Sequence, residues 1–206
     1  MTTIIILDFE TSGLNPYHDD IIEIGMKVVG SDKQFTCFLK PKSNECISSH
    51  ITKLTGISNK MLAKEGLSWE EAYQSMNAWL FSVKEDNDKI TIVSHNGESF
   101  DFLFLKRIFY DLKVLKIKSF PVHKIIFIDT LLLAKRLISG RSTYRQSTLC
   151  QQYDISVEGS HRALNDVIAL EQLFNVFADL LNKELNKRKS VFDNPQMIQD
   201  YIHFRS

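Results

Sequence analysis

The sequence is poor in cysteine, glycine and proline, and it lacks long apolar runs. Its three cysteines, Cys37, Cys46 and Cys150, are widely spaced and form no CxxC pair. This spacing argues against a disulfide framework or a zinc cage and is typical of a reducing compartment. We therefore expect a cytoplasmic protein, or a nuclear one in a eukaryote. No segment approaches the roughly 20 apolar residues that span a bilayer, so no membrane association is expected.

The chain also lacks an excess of either charge. It carries 25 basic and 25 acidic side chains among 206 residues, which argues against a protein that coats nucleic acid through a broad basic surface. An enzyme that holds a few phosphates through metal ions and local basic groups remains open. The first residues have no basic lead and reach an acid at Asp8, so we expect a buried strand, not a secretory signal peptide.

Apolar periodicity predicts three strands followed by alternating strands and helices. Strand character runs over Thr3 to Asp8, Ile22 to Val28 and Gln34 to Lys40, with a hairpin turn signal at Gly30-Ser31-Asp32. The later predicted elements are strands over 90–93 and 124–129 and helices over 69–83, 99–112, 130–138, 147–153 and 161–185. This order predicts an α/β domain with a mixed sheet, antiparallel over its first three strands and parallel beyond them, flanked by helices.

The last part of the chain differs in composition from the predicted domain, which we place at residues 1–185. Residues 186–206 are more polar and contain Asn194-Pro195. We interpret them as a C-terminal tail or a docking segment. The apolar side chains available for docking are Val191, Phe192, Ile198, Tyr201, Ile202 and Phe204.

Two carboxylates leave the first predicted strand together. Asp8 and Glu10 are two residues apart, so on a strand both side chains point to one face, with Cα atoms roughly 6.5–7 Å apart. Such a pair suits a hard divalent cation and is unfavourable to bury without one. The alternative is that this D-x-E pair simply begins a solvated loop.

Three further residues are candidates for the same site, and each has a structural alternative. Asp101 lies in the first turn of a predicted helix, where the helix dipole favours an acid in any protein. Asp166 lies in a densely apolar helical segment, so it needs a partner or a metal ion if it is buried. His161 stands at the start of that helix, where a histidine can equally be a surface or capping residue.

Together these residues belong to three motifs, which lie in order at Ile5–Leu14, Ser94–Asp101 and His161–Asp166. The motifs closely resemble those of the DEDD superfamily of 3′→5′ exonucleases, in its histidine-bearing branch (DEDDh), which includes the proofreading epsilon subunit of bacterial replicative DNA polymerase. Further likenesses lie between the motifs, at Asp19–Gly25, Leu54–Ser58, Asp129–Ala134 and Ser147–Cys150. The resemblance covers roughly residues 3–180 and implies a ribonuclease H-like fold.

The resemblance also implies a two-metal phosphodiesterase. Two Mg²⁺ or Mn²⁺ ions, roughly 3.5–4 Å apart, would be held by Asp8, Glu10, Asp101 and Asp166. Asp8 would approach both ions, Glu10 and Asp166 would favour the ion that activates the attacking water, and Asp101 would help to hold the other. His161 would be the general base, since an imidazole accepts a proton near neutral pH.

Substrate contacts follow from the same resemblance. Thr11, Leu14 and Asn96 match positions at which the family contacts the terminal nucleotide, with Leu14 wedged against the last base. The alternatives are ordinary packing for Leu14 and a turn role for Asn96. Glu98 departs from the common pattern as an extra acid in the second motif, and it either belongs to the surface or alters metal affinity.

The resemblance therefore implies a free-standing 3′→5′ exonuclease that releases nucleoside monophosphates from single-stranded ends. The first motif, read as DFETSGL, favours DNA over RNA. One alternative is an RNA-trimming enzyme of the same mechanism, which a contact to the 2′-hydroxyl would reveal. The other is a proofreading or scaffold subunit that binds a polymerase or another replication or repair protein.

Overall fold

The computed structural model describes residues 2–43, 45–84, 89–157, 161–185 and 190–203. The strands in these ranges are β1 (Thr3–Thr11), β2 (Ile21–Val28), β3 (Gln34–Phe38), β4 (Ile90–Ser94) and β5 (Ile125–Asp129). The α-helices are α1 (Ser49–Thr55), α2 (Asn59–Glu65), α3 (Trp69–Val83), α4 (Asp101–Val114), α5 (Thr130–Leu137), α6 (Gln146–Gln152), α7 (Ala163–Glu184) and α8 (Gln196–His203).

The strands form a single mixed sheet with β1 at its centre. Their order is β3-β2-β1-β4-β5, and β2 pairs antiparallel with both β1 and β3. β4 pairs parallel with both β1 and β5. The predicted ribonuclease H-like sheet is therefore confirmed. Because β1, β4 and β5 are parallel, their carboxyl ends share one edge of the sheet, where functional sites of such folds are usually built.

Both faces of β1 are covered, which explains its unbroken apolar sequence. Ile5 and Leu7 belong to the core cluster that also includes side chains of α3 and α4. Ile4 and Ile6 point to the opposite face and belong to the cluster around α5 and α7. The two-residue period of a strand thus divides one apolar run between two cores.

Two short helices, α1 and α2, were not predicted from periodicity, because seven residues are too few for a clear amphipathic pattern. Their caps account for them. The side chains of Ser48 and Ser58 accept hydrogen bonds from the backbone N–H of Ile51 and Met61, respectively. α1 then ends at Gly56, whose φ of 71° is the left-handed conformation that glycine adopts at helix ends.

Residues 190–203 contact the sheet domain. Val191, Ile198 and Ile202 are buried in the same cluster as the apolar face of α7, and α8 contacts both α5 and β5. The main apolar side chains of these residues are thus covered by the domain, and the interpretation of residues 186–206 as a tail or docking segment stays a prediction. Phe204, which we had included in the docking segment, lies outside the described residues. No helix in the described ranges is both long enough and apolar enough to span a bilayer.

Candidate active site

The end of β1 carries the first two candidate ligands into a cavity at the edge of the sheet. Asp8 pairs with Gly25 of β2 and Glu10 with Glu23, and the register shifts directly after Glu10. The cavity has a volume of about 330 Å³ and is lined by Asp8, Phe9, Glu10, Arg145, Gln146, Ser147, Val157, His161 and Asp166. Four of the five predicted catalytic residues therefore share one cavity.

Asp101, the fifth predicted residue, lies directly beside β1. It is buried at the first position of α4, and its Oδ1 accepts a hydrogen bond from the backbone N–H of Phe9 at 3.1 Å. Its Oδ2 accepts a hydrogen bond from the hydroxyl of Ser94, at the end of β4. These bonds join β1, β4 and α4 at one point, so Asp101 is more than the dipole-matched surface acid that its position alone would allow.

His161 and Asp166 reach the same cavity from the start of α7. The backbone N–H of His161 donates to Oδ2 of Asp166 at 2.8 Å. Ligand atoms of Glu10, His161 and Asp166 all lie within 4.8 Å of one another. His161 has a φ of 65°, a conformation that histidine tolerates better than branched residues do. Its side chain is exposed and lines the cavity, so it stands at the mouth of the cavity, and no side-chain hydrogen bond caps the start of α7.

A close approach of α7 to β2 fixes this arrangement. A Cβ atom on Gly25 would lie 2.5 Å from the backbone carbon of Ala163, so only glycine permits the contact. Beside it, Glu23 is buried and accepts hydrogen bonds from Nη2 of Arg162 and from the backbone N–H of Ala163, each at 3.1 Å. Together these contacts hold the first turn of α7, and with it Asp166, against the end of the sheet.

Glu23 is a part of the site for which the motif analysis assigned no role. The sequence did contain a signal for it. Glu23 stands between apolar residues in a predicted strand, and a carboxylate that is buried there requires a partner. Its partner, Arg162, follows His161 directly in the third motif. We assign this pair the role of positioning the start of α7.

The carboxylates at this edge lie close together, and the nearby positively charged side chains do not balance their negative charge. Burial, followed by repulsion from Asp101 and Glu10, raises the pKa of Asp8 well above its usual value. Burial and the neighbouring Asp166 raise the pKa of Glu10 to about 8, which Arg162 only partly opposes. Burial also raises the pKa of Asp101 to about 7, against the lowering effect of its hydrogen bonds, and raises the pKa of Asp166. An oxygen-rich cluster with this excess of negative charge fits hard divalent cations such as Mg²⁺ or Mn²⁺.

In EDTA, we expect the stability of the folded chain to fall as the pH rises, with Glu10 as the group to follow. Its pKa is 4.5 in an ordinary setting and about 8 in the folded chain, so between these values the folded state holds the extra proton. The stability contributed by that proton is lost as the pH rises through about 8. A divalent cation reverses the trend, since it favours the ionised carboxylates.

Melting temperatures of the wild type and Glu10→Gln, measured from about pH 5 to about pH 9, test this expectation. In EDTA the wild type should lose stability relative to Glu10→Gln as the pH rises. At high pH, Mn²⁺ at about 100 times its Kd should raise the wild-type melting temperature by roughly 5–10 °C. Glu65→Gln, at an exposed position of α2, is the matched control. A pH-independent difference between wild type and Glu10→Gln contradicts the prediction.

The three predicted substrate contacts lie in different environments. Thr11 is buried, and its hydroxyl donates to the carbonyl oxygen of Gly13 at 2.6 Å. Leu14 is 83% exposed, so packing within the domain does not explain it. Asn96 has a φ of 65°, and its backbone N–H donates to Oδ1 of Asp129. The turn role of Asn96 is therefore present, and its exposed side chain remains accessible to a substrate.

Two other residues of the second motif have structural roles. Oε1 of Glu98 lies 3.0 Å from Nε2 of His203 in α8, and both side chains are substantially exposed, which supports the surface interpretation of this extra acid. His95 places Nδ1 3.0 Å from the hydroxyl of Thr130 and Nε2 2.8 Å from the carbonyl oxygen of Tyr144. His95 thereby ties the second motif to the segment that carries Arg145 and Gln146 into the cavity.

Comparison with known proteins finds a family model and several relatives that match this chain. A family model described as an exonuclease matches residues 5–174. DNA polymerase III PolC-type of Ureaplasma parvum is 33% identical over 185 residues, covering 87% of this chain and 12% of the relative. The corresponding protein of Thermotoga maritima is 33% identical over 201 residues, covering 93% of this chain and 13% of the relative. The chain thus spans about one eighth of the length of these curated relatives.

Among solved structures, E. coli Exonuclease I in complex with a dT13 oligonucleotide superposes with a TM-score of 0.73 at 18% sequence identity. The match covers 90% of this chain and 43% of the Exonuclease I chain, and it supports the fold. The family match spans the segments that carry all three motifs, and it agrees with the nuclease class expected from them. The chain therefore belongs to the exonuclease family and is a nuclease of the ribonuclease H-like fold.

Proposed function

We propose that this chain is a divalent-metal-dependent 3′→5′ exonuclease that removes nucleoside monophosphates from single-stranded DNA ends. The convergence of four carboxylates and one histidine at the edge of the sheet carries the proposal. Membership of the exonuclease family agrees with it. The names of the relatives and of the structural neighbour refer to a DNA polymerase and to a complex with a DNA oligonucleotide, so we rank DNA above RNA.

The carboxylates Asp8, Glu10, Asp101 and Asp166 would hold two Mg²⁺ or Mn²⁺ ions. When bound, such ions stabilise the charge that develops on the phosphate and ease deprotonation of a water. His161 takes that proton on its imidazole as the general base. Asp166 accepts the hydrogen bond from the backbone N–H of His161 and so fixes where the imidazole is presented.

The remaining residues orient the substrate. Leu14 projects from the loop after β1 and offers an apolar surface to the terminal base. Asn96 presents its exposed amide beside the second motif, and Thr11 stabilises the turn that carries Leu14 through its bond to Gly13. Holding the terminal phosphodiester in line with the attacking water is itself a major part of catalysis.

A second candidate function is an exonuclease activity that operates in contact with a DNA polymerase. The similarity to PolC-type DNA polymerase III in several bacteria favours it. Both candidates use the same catalytic residues. They differ in whether the isolated chain cleaves efficiently or requires a polymerase or another replication protein to do so.

Cleavage of end-labelled oligonucleotides tests the proposal directly. Single-stranded DNA and RNA of the same sequence are incubated with Mg²⁺, Mn²⁺ or EDTA. With a divalent ion, 5′-labelled DNA should give a ladder that shortens step by step, while 3′-labelled DNA should release its label first as a mononucleotide. EDTA should abolish both products.

Three outcomes separate the alternatives. Faster cleavage of RNA than of DNA overturns the choice of substrate but keeps the mechanism. Cleavage only after addition of a polymerase supports the second candidate. Internal fragments, or release of the 5′ label first, contradict a 3′→5′ exonuclease altogether.

A further inference from the structure

Two tyrosines with unusually exposed rings line one cavity outside the candidate active site. Tyr17 is 82% exposed and Tyr110 is 66% exposed. Residues 16–18 of the loop after β1 form one wall of this cavity, and Leu103, Lys106 and Tyr110 of α4 lie on the other. We call this surface the tyrosine groove; its volume is about 680 Å³. Two large aromatic rings exposed to water on one concave surface are typical of a binding site.

Hydrogen bonds from α4 and from within the loop hold the backbone of the loop that carries Tyr17. Nη1 of Arg107, on α4, donates to the carbonyl oxygens of Pro16 and Asp19, each at 2.7 Å. The side chain of Asn15 accepts a bond from the backbone N–H of Tyr17 at 2.9 Å. The backbone at Tyr17 is therefore held against α4 before any ligand arrives, which lowers the entropic cost of ordering the loop on binding.

The charges around the groove favour an anionic chain. Its two acids are already engaged: Asp20 accepts bonds from the backbone N–H and hydroxyl of Ser43, and Asp111 pairs with Lys42 at 3.1 Å. His18 and Lys106 are exposed on the same surface. Aromatic rings beside basic groups are the combination with which proteins hold single-stranded nucleic acid.

The groove is built on two elements, the loop after β1 and α4, that also carry residues of the candidate active site. The loop that presents Tyr17 begins immediately after β1 and carries Leu14, the proposed contact for the terminal base. On the other wall, α4 begins at Asp101 and reaches Tyr110 nine residues later, a distance of about 13 Å along the helix axis. A strand whose 3′ end lies at the carboxylates therefore reaches the tyrosines a few nucleotides upstream.

We propose that the tyrosine groove binds single-stranded DNA upstream of the 3′-terminal nucleotide, with bases stacked on Tyr17 and Tyr110 and phosphates near His18 and Lys106. This proposal rests on the proposed function, because it assigns the groove to the same substrate. Chain length then becomes a determinant of affinity. A substrate too short to reach the groove depends on the active site alone.

The test compares two double variants, Tyr17→Ala/Tyr110→Ala and Tyr17→Phe/Tyr110→Phe. The alanine pair removes both rings, whereas the phenylalanine pair keeps the stacking surfaces and removes only the hydroxyl groups. For a 12-nucleotide oligothymidylate, the KM of the alanine pair should rise about tenfold or more, since one stacked base contributes that much. The phenylalanine pair should stay within about twofold of the wild type.

A small diester provides the internal control. The 4-nitrophenyl ester of thymidine 5′-monophosphate cannot reach the groove, so both double variants should hydrolyse it at the wild-type rate. An equal loss of activity on the small diester and the 12-mer would show that the substitutions damage the active site, and it would overturn the proposal. An unchanged KM for the 12-mer in the alanine pair would also overturn it and leave the tyrosines to a protein partner.

Direct binding separates this proposal from the proposed function. Fluorescence anisotropy of a labelled 12-mer is measured in an Asp8→Asn background, in which the DNA is not consumed. A Kd that rises about tenfold or more in the alanine pair, but not in the phenylalanine pair, supports the groove even if the wild type cleaves nothing. Cleavage by the wild type together with an unchanged Kd refutes the groove alone.

Discussion

Asp8→Asn should lower the rate of cleavage at least about a thousandfold and, in the same protein, raise the melting temperature in EDTA. The loss of activity is expected because Asp8 lies at the centre of the proposed metal-binding cluster, and electrostatic stabilisation is usually the largest part of catalysis. The gain in stability is expected because burial and four neighbouring carboxylates disfavour the ionised form of Asp8 in the folded chain.

The sign of the stability change depends on pH. The pKa of Asp8 in the folded chain is raised above the usual 3.8, so ionisation of this group destabilises the folded state once the pH exceeds that usual value. An asparagine has no such ionisation. In a domain of this size the melting temperature should rise by roughly 2–4 °C for each kcal/mol of repulsion relieved, and the gain should shrink toward acidic pH.

Melting curves and cleavage rates for the wild type, Asp8→Asn and Asp179→Asn check both halves of this prediction. Asp179 is exposed on α7, so its replacement should alter neither quantity. Mn²⁺ should raise the melting temperature of the wild type and of Asp179→Asn, but much less that of Asp8→Asn. A variant that loses activity together with stability would indicate that Asp8 is a structural residue, and the metal-site interpretation of the cluster would be wrong.

Sequence patterns predict this fold well where an element is long or buried on both faces. The run Thr3 to Asp8 identifies β1, and the capping box at Ser68–Glu71 identifies α3, whose side-chain and backbone bonds are both present. Ends of elements are predicted less accurately. β1 continues to Thr11, because its pairing with β2 continues past Asp8, and no local pattern signals that pairing.

The candidate site, too, could be predicted only in part from the sequence. Asp8, Glu10, Asp101, His161 and Asp166 stand at ends of predicted elements, and their shared edge follows from the parallel order of the strands. Sequence patterns did not predict the contacts that depend on tertiary packing. Burial of Glu23 against Arg162 requires the approach of α7 to β2, and the covering of β5 by α8 requires residues 190–203 to fold back on the domain.

His161 presents the sharpest choice of role. Its ligand atoms lie near those of Glu10 and Asp166, so the geometry suits a third metal ligand as well as a general base. The exposed side chain and the position at the mouth of the cavity favour the base, which has to exchange its proton with solvent after each turnover. The two roles make different predictions for metal binding.

His161→Asn should lower kcat by about a hundredfold to ten-thousandfold, the usual contribution of a general base, and leave the Mn²⁺-induced rise in melting temperature intact. Asparagine suits the variant because it tolerates the left-handed backbone of this position. His123→Gln, at an exposed site before β5, is the matched control. If His161→Asn loses the metal-induced stabilisation as Asp8→Asn does, His161 is a metal ligand, and a different group must accept the proton from the attacking water.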